Sequence, residues 1–352
     1  MSLIALFSIS DSLGGAEQVL FKIAKFYSEK EGNGVKIYFL KPQSNTYWKD
    51  NLSSEVEIIY LNNSVISLIK ELKKQKVQKV FSSHLMLNAL LGFARVFGIL
   101  KTEKLIVRES TQVFGRYSGV KLLQYKLAYF FGYRKIDLVI CQTQRMADAL
   151  KANIPFLYKR TKVSVIGNPF DFPNQDLVNE KISIPQNTIV SAGRLIPEKG
   201  FDILLQSFSK ILEKNPEMNL MILGEGNERH ELERSISALK LNNKVILKGH
   251  VNNVYPYFKQ AKICVVSSIR EGFPNVLLQM MSQNERVIST DCAGGINKLK
   301  GVLVVKANNV DSLSHALQMV ILTDVNNREI FDKELKSRSL ESFIFNIDKE
   351  LI

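Results

Sequence analysis

The chain has 352 residues, which favours two domains over one, and its 45% of apolar residues is enough for a sizeable core in each. Its formal net charge of +13 predicts attraction to an anionic partner such as a nucleotide, a phosphorylated lipid or a membrane surface. Its three cysteines, Cys141, Cys264 and Cys292, are too far apart for a disulfide framework or a zinc site, which excludes those classes and favours a reducing compartment.

The first half of the chain alternates between short apolar strands and amphipathic helices. Strands are predicted at residues 3–9, 35–40, 56–61, 79–82, 104–108, 137–141 and 162–166. Helices are predicted at residues 16–30, 65–76, 86–98, 121–133 and 146–151. The apolar N-terminus has no basic flank, so we interpret it as the first strand and not as a signal peptide. This alternation predicts a parallel sheet covered by helices on both faces.

Turn-forming residues interrupt the pattern at residues 167–174, where we place the domain boundary. Further strands are predicted at residues 188–192, 219–223, 244–247, 262–267, 286–290 and 302–305. Further helices are predicted at residues 201–214, 228–240, 253–260, 275–283 and 310–321, with a helical tail at 328–350. The sequence therefore predicts an α/β protein. Its first domain is residues 1–168, its second is 169–329, and a C-terminal helix of residues 330–352 packs back on the first.

Two adjacent glycines, Gly14 and Gly15, separate the first strand from the first helix. Glycines let a backbone turn tightly and approach a ligand closely. The N-terminus of the following helix suits a phosphate. A purely structural turn has the same signature, so this motif decides little alone.

A second glycine loop carries two cations. Residues 193–200 read GRLIPEKG and lie between an apolar strand and an amphipathic helix. Arg194 brings a planar fork of N–H donors and Lys199 a point charge, a combination that suits a diphosphate. The alternative is a solvated loop with no ligand.

An acidic residue, Glu271, precedes a helix that Pro274 is placed to open. The free N–H groups near Asn275 and Val276 can meet a phosphate. Gln279 lies one turn beyond Asn275 and faces the same way. Glu271 and Gln279 are therefore placed to bracket a sugar and a ribose, unless the helix is simply core and Glu271 a cap contact.

Taken in order, these motifs resemble those of the family 4 retaining glycosyltransferases, which have the GT-B fold. The resemblance rests on residues 193–202, on residues 224–226 and on residues 271–275, and it is strongest between residues 191 and 295. The Gly14 and Gly15 turn resembles the family's N-terminal glycine motif. The resemblance implies two Rossmann-like domains whose parallel sheets face across a cleft, with the acceptor on the first domain and a nucleotide sugar on the second.

The resemblance also implies roles for individual residues. Arg194 and Lys199 would neutralise the leaving diphosphate, and Glu271 would lie beside the donor sugar, which makes these three the catalytic candidates. The donor-binding residues that the resemblance implies are Gly14, Gly15, Arg194, Lys199, Gly272, Phe273, Pro274, Asn275, Val276 and Gln279. The family needs no metal and no cofactor, and no clear Asp-x-Asp motif is present.

The chain departs from the family pattern in several places. Gln279 replaces the glutamate that normally holds the ribose hydroxyls, and residues 282–286 replace a small-residue turn. Lys298 stands near the position where the family often has a glutamate. The family histidine at the end of the strand at residues 104–108 is missing. His84, Glu109 and Ser110 are the candidates for contacting the acceptor or the sugar in its place.

A basic and aromatic stretch at residues 120–135 predicts contact with an anionic membrane surface. The alternative is that the apolar side chains of this stretch pack on the sheet; they are Leu122, Leu123, Leu127 and Phe130. No nucleic-acid recognition motif is visible, so a nucleic-acid partner is not predicted.

The residues and the resemblance together predict a retaining, metal-independent glycosyltransferase. It would move a hexose or N-acetylhexosamine from a nucleotide sugar, with UDP favoured, to a glycan or a polyprenyl-diphosphate-linked acceptor. The predicted setting is O-antigen or capsule synthesis on the inner face of the bacterial cytoplasmic membrane. Two alternatives stay open. One is a nucleotide-sugar epimerase of similar fold, which the Arg194–Lys199 loop argues against, and the other is a non-catalytic partner subunit, which Gln279 would support.

Overall fold

The computed structural model describes residues 2–12, 14–74 and 76–352. The chain divides into two compact units. Unit 1 is formed by Met1–Pro169 and Leu340–Ile352, and unit 2 by Phe170–Ser339. Each unit is a parallel sheet with helices on both faces, which is the α/β architecture that the sequence predicts.

Unit 1 contains seven strands in the order β3-β2-β1-β4-β5-β6-β7. The strands are β1 (Ser2–Ser8), β2 (Asn33–Phe39), β3 (Glu57–Tyr60), β4 (Val77–Ser82), β5 (Thr102–Glu109), β6 (Leu138–Cys141) and β7 (Lys162–Val165). The helices that accompany them are α1 (Gly15–Ser28), α2 (Tyr47–Asn51), α3 (Val65–Lys74), α4 (Leu85–Val96), α5 (Gly119–Gly132) and α6 (Gln144–Asn153).

Unit 2 contains six strands in the order β10-β9-β8-β11-β12-β13. The strands are β8 (Thr188–Ala192), β9 (Asn219–Leu223), β10 (Val245–Gly249), β11 (Ile263–Val266), β12 (Val287–Thr290) and β13 (Leu303–Val305). Its helices are α7 (Gln175–Val178), α8 (Phe201–Leu212), α9 (Arg229–Ala238), α10 (Tyr255–Gln260), α11 (Asn275–Gln283), α12 (Val310–Leu322) and α13 (Arg328–Lys336).

A last helix, α14 (Leu340–Glu350), belongs to unit 1. Phe343, Ile344 and Ile347 are buried against the face of the first sheet that also packs on α1. The tail is thus two helices, where the sequence predicts one. The break falls at residues 337–339, where two serines of modest helix propensity flank Arg338, whose carbonyl accepts a hydrogen bond from Phe170 N at 2.7 Å.

The order of strands reverses once in each sheet. In unit 1 the reversal lies between β1 and β4, and in unit 2 it lies between β8 and β11. The loops after two such strands diverge to opposite faces of the sheet and leave a crevice at the carboxyl ends. These two positions, called here the switch points, are where the sequence motifs converge.

Candidate active site

The loop after β8 is held by backbone contacts at the switch point of unit 2. Leu195 is buried, and its N–H donates to Glu225 O at 2.9 Å. Gly224 has a φ of 139°, and a Cβ at this position would lie 1.9 Å from Gly193 O. Only a glycine therefore permits this close approach of two loops. The exposed Arg194 side chain extends from a segment that is fixed on both sides.

The next turn is anchored to the loop after β11. A 3₁₀ turn at Pro197–Lys199 ends at Gly200, which has a φ of 60°. A Cβ at Gly200 would lie 2.4 Å from Ser267 O. Ser267 Oγ donates to Lys199 O at 2.9 Å. These contacts fix the backbone of Lys199 beside the β11 loop.

Lys199 and Glu271 form an ion pair across this switch point. Lys199 Nζ lies 2.5 Å from Glu271 Oε1, and Ser268 Oγ donates to the same oxygen at 2.9 Å. The two side chains are only 16% and 18% exposed. Gly193 leaves room for the lysine, because a Cβ there would lie 3.2 Å from Lys199 Cε. The pair is a partly desolvated, charge-assisted contact and not a loose surface pair.

Helix α11 begins beside Glu271. Pro274 is its N-cap residue and has no side chain that could accept a hydrogen bond, and no side-chain cap bond is present among the described residues. The helix therefore presents backbone donors and the positive end of its dipole at the carboxyl edge of the sheet. Phe273 is buried under Arg338, whose guanidinium lies 5.6 Å from the ring centroid.

The remaining donor candidates lie in the same segment. Gly272, Asn275 and Val276 are half-buried at the start of α11. Gln279 is half-buried one turn further along, and its carbonyl accepts a hydrogen bond from Ser282 Oγ at 2.8 Å. The structure thus brings the second and third motifs together around one crevice.

The two cations of this crevice differ in their partners. Glu271 balances the charge of Lys199, whereas Arg194 makes no ion pair within the part of the chain that the structure describes. Arg194 is also exposed. An anion that approaches the switch point of unit 2 therefore meets an available guanidinium and a helix N-terminus.

The glycine turn of unit 1 holds an acidic side chain. Gly14 is the N-cap residue of α1, and a Cβ there would lie 2.5 Å from Glu17 Oε2. Glu17 Oε1 lies 3.2 Å from His84 Nε2, across the switch point between β1 and β4. The carboxylate thus occupies the neighbourhood of Gly14 and Gly15 in which the sequence predicts a phosphate.

The other acceptor candidates are engaged inside unit 1. Glu109 is 4% exposed and accepts hydrogen bonds from Tyr129 Oη at 2.7 Å and Tyr133 Oη at 2.6 Å. Burial raises the pKa of the Glu109 carboxyl above its usual range, and the two tyrosine hydrogen bonds oppose that shift. Ser110 Oγ donates to Ser83 O at 2.6 Å. Of the three candidates, His84 is the one that takes part in the switch-point pair.

A buried arginine lies next to this pair. Arg108 is 3% exposed and donates from Nη2 to Asn168 Oδ1. Its Nε and Nη1 atoms have no hydrogen-bond partner among the described residues. Burial lowers the pKa of Arg108 to about 10, while the charges of Glu17 and Glu109 act to raise it. Unit 1 therefore keeps a desolvated cation behind its switch point.

Comparison with known proteins identifies the second unit. Residues 175–338 match the family described as glycosyl transferases group 1. These residues belong to the group 1 glycosyltransferases. An uncharacterized glycosyltransferase from Methanocaldococcus jannaschii is 32% identical over 236 residues, which are 64% of this chain and 56% of the relative. The chain therefore spans little more than half the length of that protein.

Two further comparisons are more specific. The N-acetylgalactosamine-N,N'-diacetylbacillosaminyl-diphospho-undecaprenol 4-alpha-N-acetylgalactosaminyltransferase of Campylobacter jejuni is 28% identical over 259 residues, 72% of this chain and 69% of the relative. The crystal structure of Anabaena HepE in complex with UDP and glucose has a TM-score of 0.81 at 18% identity and covers 100% of this chain and 99% of that one. The chain has the GT-B fold, as the sequence resemblance implies.

Three residues at the two switch points escape sequence reasoning. Glu17 stands directly after the Gly14–Gly15 turn but carries no signal that it pairs with a histidine. Arg108 lies among the last five residues of β5, all of which are buried, so its burial follows from the place of the strand in a sheet covered on both faces. Ser268, which donates to Glu271, lies in a loop with no distinguishing pattern.

The part of the chain that the structure describes is residues 2–12, 14–74 and 76–352. No helix there combines the length and apolar character needed to cross a bilayer. In the same ranges no group of three or more His, Cys, Asp or Glu side chains is arranged to hold a metal ion.

Proposed function

We propose that this group 1 glycosyltransferase is a retaining enzyme that moves a hexose or N-acetylhexosamine from a nucleotide-diphosphate sugar, with UDP favoured. The observation that carries the proposal is the Lys199–Glu271 ion pair at a switch point, beside the exposed Arg194. The acceptor is a glycan or a polyprenyl-diphosphate-linked sugar in bacterial surface polysaccharide synthesis. The enzyme works as a peripheral protein on the inner face of the cytoplasmic membrane.

The donor diphosphate is met by fixed positive groups. Arg194 offers two parallel N–H donors, and the N-terminus of α11 offers backbone N–H groups and its dipole. Lys199 adds a point charge at the place where negative charge develops on the leaving group. The diphosphate competes with Glu271 for Lys199, which frees the Glu271 carboxylate to accept hydrogen bonds from the donor sugar.

The choice of substrates draws support from the two relatives. The Campylobacter enzyme is named for an acceptor linked to diphospho-undecaprenol, and the Anabaena structure contains UDP and glucose. His84, held by Glu17, is the acceptor-side candidate of unit 1. A hydrogen on Nε2 would donate to Glu17, while Nδ1 is buried and has no hydrogen-bond partner among the described residues.

The proposed reaction needs no divalent metal, because the diphosphate is neutralised by Arg194, Lys199 and a helix N-terminus. Transfer measured in EDTA should equal transfer in magnesium or manganese. Complete loss of transfer in EDTA, with recovery on adding either metal, would overturn this part of the proposal.

One experiment separates the proposal from its alternatives. The purified chain is incubated with radiolabelled nucleotide sugars, with and without a polyprenyl-diphosphate-linked acceptor. A glycosyltransferase moves the label to the lipid, and an epimerase isomerises the nucleotide sugar without acceptor. A non-catalytic partner subunit, the alternative that Gln279 favours, does neither, although thermal shift would still detect nucleotide binding.

A further inference from the structure

Helix α5 exposes most of its apolar side chains. Only Tyr129 and Gly132 of its 14 residues are buried. Its large apolar residues are exposed to unusual degrees: Val120 by 74%, Leu123 by 56%, Leu127 by 47%, Phe130 by 41% and Phe131 by 50%. The sequence-based alternative, in which Leu122, Leu123, Leu127 and Phe130 pack on the sheet, is wrong for Leu123 and Leu127, which are exposed. Leu122 is half-buried, and the Phe130 ring lies 5.3 Å from that of Phe156. An apolar surface of this kind marks an interaction site on a soluble protein.

These exposed side chains form one stripe along the helix. Positions 120, 123, 127, 130 and 131 repeat at intervals of three or four, so they share a face. At 3.6 residues per turn, Tyr129 and Gly132 lie on the opposite side. The α5 stripe, as we call positions 120, 123, 127, 130 and 131, therefore points away from unit 1 because the helix docks by its other face.

That docking is fixed by a close helix crossing. A Cβ at Gly132 would lie 2.4 Å from Ala89 Cα, and a Cβ at Gly92 would lie 1.8 Å from Gly132 O. Helices α4 and α5 thus meet at two glycines that no larger residue can replace. Phe93 of α4 and Phe97, which follows the last residue of that helix, are 43% and 63% exposed, so apolar exposure continues on the neighbouring helix.

The charged residues of α5 and of the segments next to it in the chain are all basic. No acidic residue lies between Glu109 and Asp137, whereas five basic residues do. They are Arg116, Lys121, Lys126, Arg134 and Lys135, and all are exposed. The Arg134 guanidinium lies 4.7 Å from the Phe130 ring centroid, and Lys121 Nζ lies 4.4 Å from that of Tyr117.

We propose that α5 lies in the interface of an anionic bilayer, with the α5 stripe among the acyl chains and its lysines and arginines among the headgroups. Apolar insertion and a polybasic rim are the two signals that together give stable peripheral binding. The absence of any acid from residues 110–136 argues against a basic protein as partner. The inference deepens the proposed function by assigning the surface that meets the membrane, and its test does not depend on transfer activity.

The test is flotation of the full chain with phosphatidylcholine vesicles, with or without phosphatidylglycerol. The first variant changes Leu123, Leu127 and Phe131 to Ser. Its matched control changes three exposed apolar residues elsewhere, Ile66, Leu322 and Phe345, to Ser. The second variant changes Lys121 and Lys126 to Gln, and its control changes the exposed Lys300 and Lys306 to Gln.

We expect wild type and both controls to float with phosphatidylglycerol vesicles, and the stripe variant to bind at least about tenfold more weakly with an unchanged Tm. The Lys121 and Lys126 variant should lose binding at low salt and resemble wild type at high salt, where surface charge is screened. A Leu123→Trp reporter should shift its emission to the blue on adding vesicles, because the single native Trp48 is already buried.

Three results would overturn the proposal. The stripe variant could bind anionic vesicles as tightly as wild type, which would mean that electrostatic attraction without apolar insertion accounts for binding. Wild type could fail to float with any vesicle. Wild type could also fail to float while existing as an oligomer that the stripe variant converts to a monomer, in which case the stripe meets a second copy of the chain. Loss of transfer activity with intact vesicle binding would count against the proposed function and not against this surface.

Discussion

The switch points of the two units each hold an acid and a base, but in different surroundings. In unit 2, Lys199 after β8 meets Glu271 after β11, and in unit 1, Glu17 after β1 meets His84 after β4. Unit 2 adds the exposed Arg194, so its crevice is open and positive. Unit 1 adds the buried Arg108, so the polar groups at its switch point are shielded from solvent.

The difference is visible in unsatisfied polar atoms. Seven buried side-chain nitrogen or oxygen atoms lack a partner among the described residues, and six of them lie at the carboxyl edge of the first sheet. They belong to Ser82, Ser83, His84, Asn88 and Arg108. Such atoms are costly to bury. The same strand order around the switch point therefore gives unit 2 a sheet edge suited to an anion. It gives unit 1 a sheet edge with buried polar atoms that lack partners among the described residues.

The largest effect is expected from removing the two positive charges at the switch point of unit 2. Replacing Arg194 and Lys199 together by Ala should lower kcat by about 10²–10³-fold, because both charges act where the leaving group becomes negative. The fold should persist with a lowered Tm, because loss of Lys199 leaves the partly buried Glu271 carboxylate without its ion-pair partner, whereas the exposed Arg194 makes no ion pair within the described residues. Steady-state transfer kinetics and a thermal melt measure the two quantities.

The matched control for this variant is Arg229→Ala. Arg229 lies in the same unit and pairs with Glu225 at 2.6 Å and with Glu233 at 2.9 Å, so the chain already neutralises it. Its loss should leave kcat near that of wild type. Near-normal transfer by the double variant, or an equal loss in Arg229→Ala, would contradict the assignment of Arg194 and Lys199 to neutralising the leaving diphosphate.

A second experiment compares two arginines of unit 1. Arg95 donates hydrogen bonds to Asp137, Lys135 O, Thr102 O and Glu103 O. Arg95→Met should therefore lower the free energy of unfolding by about 3 kcal/mol, because it leaves a partly buried carboxylate unpaired. Arg108→Met should cost less than about 1 kcal/mol, because two of its donor atoms have no partner to lose among the described residues.

Urea denaturation of the two variants measures this difference. Arg108 is the more deeply buried of the two residues, so an argument from burial alone predicts the opposite order. If Arg108→Met were the more damaging change, the unpaired atoms would have to be satisfied by internal water, and the contrast between the two switch points would shrink.

The fold can be predicted from the sequence because apolar strands and amphipathic helices alternate regularly along the chain. Strands 188–192 and 219–223 and helix 275–283 have the observed bounds of β8, β9 and α11. Apolar runs flanked by glycines and prolines specify these elements locally. The short helices α2 and α7 were not predicted, since four or five residues give no helical period to detect.

Contacts between distant residues are what the sequence cannot supply. The motifs locate Lys199 and Glu271 at strand ends, but their 2.5 Å pairing depends on β8 and β11 being neighbours. The pairing of Glu17 with His84 depends in the same way on β1 and β4. The orientation of α5 depends on the glycine crossing with α4, which composition does not reveal.

A third experiment compares the carboxylates of the two units through pH. Burial raises the pKa of Glu109, so folding disfavours its ionised form. The folded chain then binds more protons than the unfolded chain, and stability falls as the pH rises from about 4.5 toward the folded pKa. Glu109→Gln should remove this slope, which is at most about 1.4 kcal/mol per pH unit.

Urea denaturation of wild type and Glu109→Gln between pH 4.5 and 8 tests this expectation. The variant should gain stability relative to wild type as the pH rises. Glu271→Gln is the comparison, because that carboxylate is held in an ion pair with Lys199. Parallel curves for wild type and Glu109→Gln would show that the tyrosine hydrogen bonds offset burial completely.

The smallest effect is expected from changing Gln279 of the proposed donor site to Glu. Gln279→Glu should leave the fold intact, because the side chains are nearly equal in size and position 279 is only half-buried. If α11 meets the diphosphate at its N-terminus, position 279 lies one turn from it, within reach of the ribose. A carboxylate that accepts from both ribose hydroxyls should gain about 1 kcal/mol over an amide.

Repulsion from the diphosphate and from Glu271 opposes this gain. In the proposed complex Lys199 lies between Glu271 and the diphosphate, and Arg194 faces the diphosphate, so the two cations offset most of this repulsion and the net change should favour the variant or be close to zero. Calorimetry of UDP binding to wild type and Gln279→Glu measures it, with Gln283→Glu at the end of α11 as the control for added charge. Affinity lowered more than about tenfold, or 1.4 kcal/mol, in Gln279→Glu alone would mean that the pocket is built for an amide at this position.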